Sequence, residues 1–181
     1  SNPANAWRNT GFPEDDTWST GAMPIGYGIV TNLPLNTTIS DMRTNYTSVF
    51  LRNHFTINAG EIPRELLLRY SVDDGMIVWI NGSEVLRFNV ASGNLPASAS
   101  ANSSGSEGIW RSEILPDPLG YLIEGKNTIA IQLFNVSSTS SDLGLDLELV
   151  RPASGDNQPP RPTPGTRNSV YTGNAPPITR Q

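Results

Sequence analysis

The sequence predicts an all-β protein, an antiparallel β-sandwich followed by a Pro-rich extended C-terminal tail. Several segments alternate between apolar and polar residues with a period of two, which is typical of strands with one buried face. No segment of useful length has a helical period, and 16 glycines and 15 prolines indicate many turns. The 181 residues suit one domain with a sizeable core.

The clearest strand signals lie between residues 66 and 90. Leu66–Val72, Met76–Ile80 and Glu84–Val90 are predicted strands, and Asn81-Gly82 is a strong signal for a hairpin between the last two. The segment Asp73-Asp74-Gly75 has the composition of a turn. We therefore expect its two adjacent carboxylates at an exposed loop tip.

Further strands complete the predicted sandwich. Tyr46–Ile57, Lys126–Val136 and Leu143–Val150 alternate along their length, and Ile109–Leu115 is a short strand carrying Trp110. The segment 91–108 is small and polar, so we expect a long surface loop with nothing to bury. The alternation predicts a shared sandwich interior formed by Leu68, Val78, Ile80, Ile129, Ile131, Leu145 and Leu147.

The composition changes after Arg151, so the predicted domains are a β-sandwich module over 1–151 and a Pro/Gly-rich linker or tail over 152–181. Because proline removes ladder donors and little in the tail is apolar, we expect no regular strand and few contacts with its own sandwich. Val170, Tyr171 and Ile178 are its predicted anchors on another subunit or domain.

Composition also narrows the classes of partner. A formal charge of −5 argues against nucleic acid and against an anionic membrane surface. No apolar run approaches the roughly 20 residues that span a bilayer, and no signal-peptide pattern is present. The lack of cysteine excludes disulfides and thiolate sites. A Ser/Thr/Asn-rich composition with Lys126 as the only lysine favours an extracellular or cell-surface location.

Several ordered segments together resemble the galactose-binding-domain-like jelly rolls that serve as accessory modules in large secreted bacterial proteins. The resemblance covers most of residues 18–150. The matching segments are Pro24–Gly28, Phe50–Phe55, Asp73–Gly75 with Val78–Gly82, Gly125–Ala130 and Ser140–Leu143.

This resemblance implies an eight-stranded jelly roll, often with a structural Ca²⁺ ion and often with sugar binding. Such modules often have a histidine after the Asn-x-x-Ala pattern, where this chain has Phe134-Asn135, so any role of that histidine lapses here. In the tail, Pro162–Ser169 resembles the joint that follows such modules, or lamin-tail-like modules, in multidomain surface proteins.

The residues offer little for catalysis. His54 is the only histidine, no G-x-S-x-G motif exists, and a mid-strand position favours a structural, hydrogen-bonded role. Paired carboxylates could serve glycoside hydrolysis, but adjacent acids in turns are more simply explained as turn formers or as ligands of a hard cation. The predicted calcium ligands are Asp15, Asp16, Asp73, Asp74, Asp142 and Asp146.

Aromatic residues suggest a carbohydrate platform, because sugar C–H faces stack on aromatic rings. Trp79 lies in a predicted central strand and is assigned to the core. Trp7, Trp18 and Trp110 flank loops, where they either cap the sandwich or face a ligand. The predicted ligand-binding residues are Trp18, Trp110, Tyr27 and Arg52, the last two from segments that carry the resemblance.

The leading hypothesis is a non-catalytic module of a larger extracellular protein, which binds carbohydrate or positions neighbouring domains. The first alternative is a structural subunit of an extracellular filament or surface layer, with the tail contacting a neighbour. The second alternative is a glycan-active enzyme, which the residue inventory disfavours. Expected partners are carbohydrate or neighbouring domains and subunits, with no nucleic acid and no membrane insertion.

Overall fold

The computed structural model describes residues 5–105 and 107–152, and this part of the chain is nearly all β. The predictions for the tail lie outside the described residues. Two short 3₁₀ turns, Asn5–Arg8 and Pro118–Gly120, accompany the strands. The strands are β1 (Ile25–Tyr27), β2 (Thr37–Thr38), β3 (Ser48–Ile57), β4 (Leu66–Asp73), β5 (Gly75–Ile80), β6 (Ser83–Phe88), β7 (Arg111–Leu115), β8 (Gly125–Phe134) and β9 (Leu143–Val150).

The strands form two sheets that face each other, which confirms the predicted β-sandwich. One sheet has five strands in the order β2-β1-β9-β4-β7, and the other has four in the order β3-β8-β5-β6. All neighbours are antiparallel except β1 and β2. The predicted interior is confirmed, since each of its members is buried between the sheets: Leu68, Val78, Ile80, Ile129, Ile131, Leu145 and Leu147.

The predicted hairpin at Asn81-Gly82 is confirmed. β5 and β6 pair across it, with φ of 51° at Asn81 and 89° at Gly82, as a tight turn of this type requires. The Asn81 side chain also ties the turn to neighbouring segments. Its Nδ2 donates to the Tyr121 carbonyl at 2.8 Å, and its Oδ1 accepts from the Thr128 backbone N–H at 2.8 Å.

The expectation of an exposed loop tip at Asp73 and Asp74 is wrong. β4 and β5 do not pair, because the chain passes from the five-stranded to the four-stranded sheet at this point, through a cis peptide bond. Both carboxyl groups are buried. Asp74 is held inside because its Oδ1 accepts from the Gly105 N–H at 2.6 Å and its Oδ2 from the Val136 N–H at 2.7 Å.

The segment 91–108 is also not a loop with nothing to bury. The outer face of the four-stranded sheet is apolar, with Ile77, Ala130 and Phe134 all buried there. Leu95 and Ala101 pack onto it from this segment, which is held by a hydrogen bond between the Ala101 N–H and the Asn135 carbonyl. The apolar outer face explains the docking, since it would otherwise be exposed to water.

The N-terminal segment covers the rest of this outer face. Trp7 is fully buried, with its ring 5.0 Å from Phe50 and 5.6 Å from Trp79 between centroids, edge to face in both cases. The Arg8 guanidinium lies 4.0 Å from the centre of the Trp79 ring. Trp7 therefore caps the sandwich, and Trp79 belongs to this second apolar layer.

Candidate functional site

A group of charged and aromatic side chains lies beside β3 where the N-terminal segment crosses it. Arg52 and His54 project from the outer face of β3, and Glu14 approaches them from the N-terminal segment. Glu14 Oε1 accepts from Arg52 Nε at 2.8 Å and lies 3.0 Å from His54 Nε2. Together with Phe12 and Trp18, these residues form what we call the Glu14 cluster.

Arg52 is the buried centre of the Glu14 cluster. Its side chain is only 1% exposed, and its guanidinium lies 5.2 Å from the Phe12 ring centre and 5.9 Å from that of Trp18. The two rings meet edge to face at 6.0 Å. Nη1 donates to the Asn9 carbonyl at 3.2 Å, whereas Nη2 is buried and has no hydrogen-bond partner among the described residues.

The Glu14 carboxylate remains accessible, with its side chain 40% exposed. The hydrogen bond from Arg52 is the main cause that lowers the pKa of Glu14 below its usual value, and the nearby His54 adds to it. Burial opposes this shift. The carboxylate therefore stays ionised into mildly acidic solution and can accept hydrogen bonds from a ligand.

His54 takes part in a chain of contacts that is structural. Its Nδ1 lies 2.9 Å from Thr128 Oγ1, and its Nε2 faces Glu14. The order hydroxyl, imidazole and carboxylate is the one a nucleophilic triad requires. However, Thr128 is fully buried in β8, so its hydroxyl cannot meet a substrate. The expected hydrogen-bonded structural role of His54 agrees with this arrangement.

The predicted ligand-binding residues do not form one site. Trp18 and Arg52 lie together in the Glu14 cluster, whereas Trp110 is beside β7, in the other sheet. Trp110 is 41% exposed, and the Arg69 guanidinium lies 5.7 Å from its ring centre. Tyr27 is buried, and its hydroxyl donates to the Ser140 carbonyl and accepts from Asn135 Nδ2. The Tyr27 hydroxyl ties β1 to the segments around β9, and the predicted contact of Tyr27 with a ligand stays a prediction.

The predicted calcium ligands are also dispersed. Asp15 and Asp16 are exposed, and Asp15 Oδ1 accepts from the backbone N–H and hydroxyl of Thr17. Asp146 is buried in β9, where its Oδ1 accepts from the Leu147 N–H. Asp142 is half-buried and close enough to Asp73 to influence its titration.

No three acidic or histidine side chains converge as cation ligands within the described residues. Both Asp74 oxygens already accept backbone N–H groups. The described carboxylates thus do not fit a calcium ion as they are arranged, and the ion implied by the resemblance stays a prediction.

The Asp73 carboxyl is perturbed even so. Burial, followed by the negative charge of Asp74 and a hydrogen bond between the two side chains, raises the pKa of Asp73 to about 7. Asp142 and Glu107 add smaller effects in the same direction. The pair therefore holds one proton through mildly acidic pH, as adjacent buried carboxyl groups do.

Sequence reasoning missed Glu14 and Phe12 as members of the cluster. Glu14 is part of the acidic run ahead of Trp18, and this run was the one signal in the sequence that could have indicated its role. Its contacts with Arg52 and His54 join positions 38 and 40 residues apart, so only the tertiary fold brings them together.

Comparison with known proteins gives a limited result. No protein-family model and no curated protein matches this chain. Among solved structures, it is similar to a β-glucuronidase of glycoside hydrolase family 2, with 20% identity, a TM-score of 0.43, and coverage of 75% of this chain and 12% of that one. The β-glucuronidase of Bacteroides uniformis matches with 15% identity, a TM-score of 0.48, and coverage of 81% and 16%.

A β-glycosidase from Bacteroides vulgatus matches with 17% identity, a TM-score of 0.38, and coverage of 84% of this chain and 19% of that one. The chain thus spans less than a fifth of each of these proteins. This likeness says nothing of the activity of the chain. In the part of the chain that the structure describes, no helix is long and apolar enough to cross a membrane.

Proposed function

We propose that the chain is a non-catalytic, carbohydrate-binding β-sandwich module of a larger extracellular protein, and that the Glu14 cluster is its binding surface. The observation that carries the proposal is the placement of two aromatic rings beside a partly exposed carboxylate fixed by Arg52. Sugars combine apolar C–H faces with hydroxyl groups, and this pairing of rings and ions suits both.

Each member of the cluster has a distinct part in the proposed site. Trp18 and Phe12 provide the stacking surface, and Glu14 accepts hydrogen bonds from sugar hydroxyls. Arg52 is too deeply buried to reach a ligand, so it is a positioning residue that holds the Glu14 carboxylate and supports both rings. His54, with its side chain 28% exposed, borders the carboxylate.

A non-catalytic role is favoured by the inaccessible Thr128 hydroxyl and by the scattering of the acids. Glycoside hydrolysis needs two carboxyl groups at a defined separation across an open cleft. Asp73 and Asp74 are adjacent but both are buried, and Glu14 is engaged with Arg52.

The test is binding to a panel of plant and microbial polysaccharides by affinity electrophoresis, followed by a glycan array. We expect retention of the unmodified chain on at least one polysaccharide. Trp18→Ala should weaken binding by roughly three- to tenfold, the worth of one aromatic contact. Trp110→Ala is the matched control, because it removes the same side chain from the opposite sheet, and it should bind like the unmodified chain.

Glu14→Gln extends the test with nearly the same shape and no negative charge. We expect weaker binding, measured at a temperature where the variant is folded. We also expect a lower melting temperature, because the substitution leaves the buried Arg52 guanidinium without its carboxylate partner. Equal binding by Trp18→Ala and the unmodified chain would contradict the assignment of the site. Failure of the unmodified chain to bind any member of the panel and the array would contradict the proposed function.

A further inference from the structure

The β7 edge of the five-stranded sheet is more exposed than the other sheet edges. β7 is the last strand of that sheet, so its side away from β4 pairs with no strand among the described residues. Ser112, Glu113 and Ile114 are all exposed. Exposed edge strands present unpaired backbone groups to other chains, and proteins usually protect them.

The other edges are short or covered. β2 has only two residues. In β6, Arg87 pairs with Glu84 and reaches over the edge to the carbonyls of Ala91 and Gly93. In β3, only Thr56 of the ten residues is exposed.

Several side chains around β7 are apolar although they are exposed to solvent, and this exposure does not stabilise an isolated domain. Ile114 is 73% exposed, Ile109 51% and Trp110 41%. The register of β4 and β7 places Ile114 beside Leu67 and Ser112 beside Arg69, on the outer face of the sheet. Trp110 lies over the same Arg69, so Trp110, Ser112 and Ile114 share this outer face.

The sequence of this edge is complementary to itself. In an antiparallel pair of two identical strands centred on Ser112, each residue meets the one equally far on the other side of the centre. Arg111 then lies opposite Glu113 of the second copy, and Glu113 opposite Arg111. On the other face, Trp110 lies opposite Ile114. Both kinds of cross-strand pair, opposite charges and aromatic with β-branched, stabilise antiparallel sheets.

The charges are suitably placed for this pairing. Arg111 and Glu113 alternate with the outer-face residues and so point to the same side of the strand. Glu113 makes no salt bridge among the described residues. Arg111 lies at 4.6 Å from the ring centre of Phe88 and donates to the Ile109 carbonyl, with part of its surface still open to water.

We propose that a second copy of this chain pairs with β7 through a two-fold axis at Ser112, joining the two five-stranded sheets into one continuous sheet. The occupant is this same chain because the edge matches its own reverse in both charge and apolar contact. The Glu14 cluster lies on the other sheet, so both copies keep it accessible, and the pairing does not depend on the proposed carbohydrate binding.

The first test is sedimentation equilibrium of the full chain from low micromolar to several hundred micromolar. We expect a reversible monomer–dimer equilibrium, with Ile114→Lys weakening it at least tenfold. Ile123→Lys is the matched control, because Ile123 is 49% exposed and its N–H donates to Asn127 of β8, in the other sheet, and it should dimerise like the unmodified chain. A monomer at every concentration would overturn the proposal.

A charge exchange separates pairing from damage to the fold. Glu113→Arg alone puts two arginines opposite each other at both ends, and Arg111→Glu alone puts two glutamates there. Each should weaken the dimer at least tenfold. The double variant R111E/E113R restores opposite charges in the same register, so it should recover most of the affinity. Dimers that tolerate the single changes, or a double variant no better than the singles, would overturn the proposed register.

Discussion

The buried pair Asp73 and Asp74 predicts an unusual dependence of stability on pH. Only 5% of Asp73 and 2% of Asp74 is exposed. Each of the two Asp74 carboxyl oxygens accepts a hydrogen bond from a backbone N–H. Asp73 is the neighbour whose pKa rises to about 7, from an ordinary value of 3.8. At mildly acidic pH, the folded protein therefore keeps a proton on Asp73 that the unfolded chain has released.

The sign follows from the number of protons bound in each state. Between about pH 4 and pH 7 the folded state binds one more proton at Asp73 than the unfolded state, so the free energy of unfolding falls as pH rises. Each pKa unit corresponds to about 1.4 kcal/mol. A shift of that size thus lowers stability by roughly 4 kcal/mol between pH 4 and pH 8, before other groups contribute.

Asp73→Asn removes the titration while keeping a neutral side chain that can donate to Asp74. We expect the variant to be more stable than the unmodified chain at pH 8, by up to about 4 kcal/mol, and similar to it at pH 4.5. Urea unfolding at intervals from pH 4.5 to 8.5, followed by tryptophan fluorescence, measures the difference directly.

Asp74→Asn is the matched control, since it leaves Gly105 or Val136 N–H without its acceptor. It should destabilise the protein by about 1–3 kcal/mol at pH 8, in contrast to its neighbour. Parallel curves of stability against pH for Asp73→Asn and the unmodified chain would refute the reasoning. So would an Asp73→Asn variant that is less stable at pH 8.

Three further predictions concern packing and metal binding. Leu147→Ala should lower the free energy of unfolding by about 2–5 kcal/mol in urea titrations, because it opens a cavity between the sheets; a loss below 1 kcal/mol would contradict this burial. Trp7→Ala should cost about 3–5 kcal/mol by the same measurement, and an unchanged midpoint would show that the N-terminal segment does not pack as described. For calcium, the dispersed carboxylates predict that millimolar CaCl₂ leaves the Tm of EDTA-treated protein unchanged. A rise in Tm that Asp142→Asn reduces would instead support the ion that the resemblance implies. An unchanged Tm would contradict the calcium ion implied by the resemblance.

Most of the fold was predictable from periodicity alone. β9 begins and ends where the alternation of Leu143–Val150 does, and β8 agrees with its predicted strand to within two residues. β1 and β2 were not predicted, because three and two residues are too few to display a period. The destination of the chain after Asp73 was not predictable either, since an Asp-Asp-Gly turn looks alike in a hairpin and in a crossover between sheets.

The segment 91–108 shows a different limit. Its own composition is polar, and the reason for its ordered packing lies elsewhere, in Ala130 and Phe134 on the outer face of β8. Local composition describes what a segment can bury but not what surface it is required to cover. The same limit applies to the predicted ligand-binding residues. Trp18 and Arg52 lie together, whereas Trp110, which was an equally plausible ligand residue by sequence, lies beside the opposite sheet.

The N-terminal segment couples the proposed binding surface to the stability of the sandwich. Trp7 covers the apolar outer face of the four-stranded sheet, and a few residues later the same segment supplies Phe12, Glu14 and Trp18 to the cluster around Arg52. Because Trp7 is fixed between Phe50 and Trp79, the segment is held on the sheet at a point well inside the apolar layer. The Glu14 cluster is therefore preorganised by packing, so ligand binding does not carry the entropic cost of ordering these side chains.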